Sequence, residues 1–172
     1  MSANLVLSYI FQLLFLIFMQ VVIFQKIYLS VYCVPFFYIM FLITLPVHTN
    51  KYLVLILGFL LGGLMDIFYY TGGIHAASTT LISYLRYYWL KIIEPSERYE
   101  ENQLPVVAMT NRDWFLKYIT PIVFLHHFTL FTLEAFSARY LFEIILRTIC
   151  SSIVSVALIY FFHLIFFRVK NR

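Results

Sequence analysis

Charge is the scarcest commodity in this chain: 12 Lys or Arg and 8 Asp or Glu among 172 residues, or 12%, where a soluble domain carries about 25%. That scarcity excludes a cytosolic enzyme, a disordered tail and a nucleic-acid-binding module. The net charge of +4 is scattered rather than gathered into a basic face. Cysteine is nearly missing. Cys33 and Cys150 stand inside apolar runs, with no CxxC pair and no histidine at ligand spacing, so they read as small buried hydrophobes. Catalytic signatures are missing too: there is no HExxH, no GxSxG, no P-loop and no pair of carboxylates on a loop. The expectation is a protein that is not an enzyme, with no cofactor, no metal and no nucleic-acid partner.

What the chain has instead is apolar surface. Apolar residues make up 63%, and the aromatic set comprises 19 Phe, 14 Tyr and 2 Trp. A soluble fold of this length cannot hide so much of it, which leaves an integral membrane protein in contact with lipid. A helix needs about 20 apolar residues to cross a hydrocarbon core of about 30 Å. Six segments qualify, at residues 5–24, 31–47, 52–70, 75–93, 114–136 and 139–167. The first has no basic stretch before it and no small-residue cleavage site after it, so it reads as a retained span rather than a signal peptide. In the second, Pro35 fits a first turn and Pro46 an end. The expectation is one all-α transmembrane domain over 1–172, a six-helix bundle, with a single longer hydrophilic loop at 94–113. Six spans put both termini on one side. That side then holds Lys51, Lys91, Arg98, Arg112, Lys117, Arg168, Lys170 and Arg172, against Lys26 and Arg139 opposite. The positive-inside rule makes the basic side cytoplasmic.

The few polar residues inside spans are the candidate site. All five glycines lie between Gly58 and Gly73. Gly58 and Gly62 form a GxxxG step, which serves either packing within the bundle or a partner's helix. Gly72 and Gly73 suit a tight turn with positive φ. Asp66 continues the Gly62 face, about 21 Å into its span, and should face protein, with Ser78, Thr79 and Thr80 of the next helix in reach. Arg147 is spaced to pair with Glu143 at i, i+4. His127 shares a face with Glu134, and Arg139 lies at the same depth. Asp66, His127, Glu134, Arg139, Glu143 and Arg147 are thus expected to form one outer polar layer, three negative against two positive, either positioning helices for a partner or only holding the bundle together. Arg86 lies about 12 Å from the opposite end and is expected to snorkel to the interface, beside Tyr87, Tyr88 and Trp89. His126 and His127 are adjacent, hence on different helix faces, a poor arrangement for joint metal ligation. The 94–113 loop carries five carboxylates against two arginines; it is either a solvated connector or a contact for a basic partner.

The run Gly58-Phe59-Leu60-Leu61-Gly62-Gly63-Leu64-Met65-Asp66-Ile67-Phe68, then Gly73-Ile74-His75-Ala76-Ala77 and Thr80-Leu81-Ile82-Ser83-Tyr84-Leu85-Arg86, resembles the bacterial rod shape-determining MreD family. Trp114-Phe115-Leu116-Lys117-Tyr118, the His126-His127 pair and Phe131 to Phe136 around Glu134 are similar to one branch of it. One departure is Tyr87, where the family pattern places proline after the arginine. The resemblance implies a non-enzymatic inner-membrane component of the cell-elongation machinery, acting with an MreC-like membrane protein, MreB and the peptidoglycan synthase complex. It also implies a fold similar to the S components of energy-coupling-factor transporters, and hence an alternative function as a vitamin-binding uptake subunit.

Overall fold

Two asparagines set where two of the long helices begin. In the computed structural model, which describes residues 3–26, 32–95, 99–100, 103–106 and 110–166, the Asn50 side chain accepts the Tyr52 N–H at 2.9 Å, and the Asn111 side chain accepts the Trp114 N–H at 2.7 Å. Each thereby satisfies a donor that the first helical turn leaves open. The elements are α1 (Ala3–Phe18), which runs on as a π turn (Met19–Ile23) and a 3₁₀ turn (Phe24–Lys26), then α2 (Met40–Thr44), α3 (Lys51–Tyr69), α4 (Ile74–Ile92), α5 (Arg112–Ala135) and α6 (Leu141–Phe166). The described residues form no strand. Tyr70 and Phe136 end α3 and α5 in the left-handed region, at φ 55° and 44°. In the turn into α4, Gly73 alone has positive φ (95°) and Gly72 does not, so one of the two expected glycine roles is realised.

Among the described residues, three helices are long and apolar enough to cross a membrane: Val6–Lys26, Lys51–Tyr69 and Leu141–Phe166. The distribution of side chains is inverted relative to a soluble protein. Phe11, Ile67, Phe142 and Ile153 are exposed, while Gln20, His75, Arg86, His126, Ser151 and Ser155 are buried. Helices α3 and α4 pack along their lengths, as do α5 with α4 and with α6. Pro121 interrupts α5, and the carbonyl it would have bonded, that of Lys117, accepts the Trp89 indole N–H at 3.3 Å. The α4 end is closed by Tyr99, whose hydroxyl donates to Leu90 O at 2.8 Å, and by Trp114, whose indole donates to Ile93 O at 3.0 Å. Partial burial there pushes the Tyr99 phenol up to about 12. This part of the 94–113 loop is therefore folded onto the bundle rather than solvated throughout.

The expected second span, 31–47, is not a transmembrane helix. Residues 33–37 are irregular, α2 contributes only five helical residues, and everything from Pro35 to Leu45 is buried. Proline at 35 disfavours helical geometry at Val34, and the missing helical ladder is replaced from outside the segment. The chain enters beside Cys150 at Cys33 and leaves at Val47, whose N–H donates to Gln103 O at 2.9 Å. Among the described residues, five long helices thus wrap around one irregular segment of chain.

Candidate functional site

Irregular backbone inside an apolar bundle must find its hydrogen bonds in neighbouring side chains, because neither lipid nor apolar core supplies any. Gln20 supplies most of them. Its Oε1 accepts the N–H groups of Phe37 (2.7 Å) and Tyr38 (3.3 Å), and its Nε2 donates to Pro35 O (3.1 Å) and to the Tyr69 hydroxyl (2.7 Å). From the far side, Ser151 Oγ accepts Val34 N–H at 3.0 Å and Ser155 Oγ accepts Phe36 N–H at 3.1 Å. Gln12 adds a bond to Thr44 Oγ1 at 2.8 Å. Side chains of α1 and α6 thus perform for this segment what helical carbonyls and amides do elsewhere.

The Tyr38 hydroxyl lies between two imidazoles, 2.9 Å from His75 Nδ1 and 2.8 Å from His126 Nε2. His126 Nδ1 is buried without a partner. An orphaned acceptor is more tolerable than an orphaned N–H, which assigns the His126 proton to Nε2. His126 then donates to Tyr38, and Tyr38 donates to His75. His127 faces elsewhere, with Nδ1 2.8 Å from Val123 O and Nε2 3.1 Å from Ser155 Oγ. Phe36 packs edge-on against His75 and His126. These contacts join α4, α5, α6 and the irregular segment at one level. Among the described residues no group of three His, Cys, Asp or Glu is placed to hold a metal.

The two most deeply buried charges sit at opposite ends, and both are held by backbone. Asp66, 8% exposed, accepts His75 N–H (3.0 Å) and Ala76 N–H (2.9 Å), and also the Thr71 hydroxyl (2.5 Å). The N-cap of α4 is Gly73, which has no side chain to cap with, so a carboxylate from α3 takes the open amides at the positive end of α4. Ser78, Thr79 and Thr80 are not its partners. Arg86, 3% exposed, does not snorkel. It turns inward: Nε donates to the Tyr118 hydroxyl at 2.8 Å, Nη2 donates to Leu45 O and, at 3.4 Å, to Pro46 O, and Tyr118 itself donates to Ile43 O at 3.0 Å. A cation thereby caps the carbonyl end of α2, where Pro46 prevents the helix from continuing. Arg86→Met should lower the unfolding free energy by about 2 kcal/mol, because two carbonyls lose their donor. Unfolding in detergent micelles measures this, and a variant as stable as the parent would restore the interfacial role.

The outer layer expected from the sequence reduces to one pair. Arg147 bonds Glu134 of α5 (3.1 Å) instead of Glu143, and its guanidinium lies over the Phe131 ring at 4.4 Å. Glu143 and Arg139 are exposed and make no ion pair among the described residues. Asp66 and His127 belong to the separate sites above. Gly58 and Gly62 are covered by α4 of the same chain: a Cβ on Gly62 would lie 2.5 Å from Ala76 Cα and from His75 O, and one on Gly58 would lie 2.0 Å from Ser83 Oγ. This face is a packing face, closed to a partner. Of the eight basic residues assigned to one side, Arg98, Arg168, Lys170 and Arg172 lie outside the described residues. Lys51, Lys91, Arg112 and Lys117 share one end of the bundle, and Lys26 and Arg139 the other.

Gln20, Tyr38, His75, Ser151 and Ser155 carry the centre, and reasoning from sequence passed them over. The signal that could have marked two of them is the polar stripe Thr148, Ser151, Ser155 at helical spacing in an apolar span. No family model, no curated protein and no solved structure matches this chain.

Proposed function

We propose that this chain is a non-enzymatic membrane component of the bacterial cell-elongation machinery. In this reading it is a single domain in the inner membrane with both termini in the cytoplasm. It serves as a scaffold for an MreC-like membrane protein, MreB and the peptidoglycan synthase complex. The observation that carries the reading is that the first of the motifs quoted for the resemblance, residues 58–86, forms one closely packed hairpin of α3 and α4. Gly58 and Gly62 seat α4, Asp66 caps it, and Arg86 at its far end ties it to α2. The buried polar groups of that hairpin bind the bundle's own backbone and side chains. A scaffold needs such packing, whereas a transporter needs polar groups turned toward a cavity. The grooves on the outside suit lipid: one of about 440 Å³ is lined by Phe11, Phe15, Phe37, Phe162 and Phe166 with Ser8 and Gln12 at its edge, and a second of about 340 Å³ between α5 and α6 is almost wholly apolar.

Affinity purification of the full-length chain from membranes of its host tests the reading. Recovery of an MreC-like protein is expected. Purification without it, together with tight retention of a vitamin, would overturn the proposal in favour of the uptake subunit.

A further inference from the structure

Two ammonium groups meet over one tyrosine where α3 begins and α4 ends. Lys51 Nζ is 5.4 Å from the centroid of the Tyr87 ring and Lys91 Nζ is 4.6 Å from it, while Lys51 also lies 5.1 Å from the Tyr52 ring. The two cations therefore stand within about 10 Å of each other, about one Debye length, so that both act on an anion placed between them. Both are exposed, and among the described residues neither has a carboxylate within 4.0 Å; Glu94, three residues beyond Lys91, makes no ion pair with it. Ring faces attract cations but leave their charge uncancelled. Two cations held by a shared ring, with only the more distant Glu94 carboxylate to offset them among the described residues, are arranged to receive an anion.

The surroundings identify its source. Tyr84, Tyr87, Tyr88 and Lys91 form one stripe of α4, with the Tyr84 and Tyr88 rings 5.1 Å apart and both exposed. Exposed tyrosines of this kind belong at the headgroup level of a bilayer. Away from the lysines the stripe continues to exposed, apolar Leu81, and α3 beside it is one of the helices able to cross a membrane. A ligand here meets positive charge at one end, tyrosine edges in the middle and hydrocarbon beyond. We infer that Lys51, Lys91 and Tyr87 form a binding site for the phosphodiester headgroup of an anionic phospholipid, whose acyl chains run along the Tyr84–Leu81 stripe. The inference stands independently of a role in cell elongation.

Native mass spectrometry of the full-length protein, titrated with dioleoylphosphatidylglycerol or dioleoylphosphatidylcholine, tests it. The anionic lipid should bind preferentially. A basic residue near an anionic lipid surface contributes about fivefold in affinity, so Lys51→Gln with Lys91→Gln should weaken phosphatidylglycerol binding about 25-fold and leave phosphatidylcholine unchanged. Tyr87→Leu, which keeps both charges, should weaken it about fivefold. Arg112→Gln with Lys117→Gln, at the same end of the bundle, should change nothing. All these positions are at least partly exposed, and unchanged thermal unfolding in phosphatidylcholine micelles confirms that the variants are folded. The site is refuted if the Arg112/Lys117 control loses as much affinity as the Lys51/Lys91 variant, or if the latter binds like the parent. Displacement of the lipid by an equal concentration of inorganic phosphate would equally overturn it, by making this a soluble-anion site.

Discussion

Replacing Gln20 by leucine is expected to remove about 4 kcal/mol of stability, more than most single substitutions. Leucine fits the space but offers nothing to the Phe37 and Tyr38 amides or to the Pro35 carbonyl, all of which Gln20 holds. In an apolar bundle those three groups have no water to turn to. Ordinary hydrogen bonds between transmembrane helices are worth only about 0.6 kcal/mol, because the separated helices keep their own ladders. Residues 33–37 have no such ladder, and that difference makes Gln20 critical. Gln20→Glu keeps an acceptor for both amides and should fall between the parent and Gln20→Leu. Equilibrium unfolding in mixed micelles gives the magnitudes. A loss below about 1 kcal/mol for Gln20→Leu, within the range of a single ordinary bond, would mean that the segment is held by other means.

The second large effect comes from a methyl group. Gly62→Ala places a Cβ 2.5 Å from Ala76 Cα and from His75 O, where carbon atoms prefer about 3.5–4.0 Å. Both are backbone atoms of α4, so no rotamer change relieves the clash. The helices must separate by about 1 Å, and the Thr79 hydroxyl bond to Gly58 O, 2.7 Å long, sits in that contact. The expected cost is about 3 kcal/mol. The neighbouring Gly63 is the control: a Cβ there meets nothing within 4 Å, so Gly63→Ala should be neutral or stabilising. Two adjacent glycine-to-alanine changes, one costly and one not, compared in one unfolding assay, separate close helix packing from glycine's general flexibility. Equal effects at the two positions would contradict the packing described.

The sequence made α3, α4, α5 and α6 legible to within a few residues, because each is an apolar run bounded by a capping asparagine, a glycine turn or a polar loop. It hid the character of 31–47. That run is as apolar as its neighbours, and hydropathy counts side chains without recording where backbone hydrogen bonds go. The bonds that replace its ladder come from Gln20 on one side and from Ser151 and Ser155, 117 and 119 residues from their amide partners, on the other. No local pattern encodes such a pairing. Depth along a helix placed Arg86 and Arg147 but not their direction. Arg86 points inward because Pro46 leaves carbonyls open nearby, and Arg147 chooses Glu134 of the adjacent helix over Glu143 of its own. The i, i+4 rule compares neighbours on one helix and is silent about a better acceptor across an interface. His126 and His127 lie on different faces of α5, and both faces are buried, one against Tyr38 and the other against Ser155.

The division of labour around the irregular segment also dictates an order of events during synthesis. Gln20 leaves the ribosome before Pro35, so most of the segment's bonding is on hand when the segment emerges. Ser151 and Ser155 arrive more than a hundred residues later. Until α6 is made, the Val34 and Phe36 amides await their acceptors, and the segment cannot settle as an independently inserted unit. Helix α6 therefore completes a structure that α1 begins, and chains terminated after α5 lack the two hydroxyl acceptors of the Val34 and Phe36 amides.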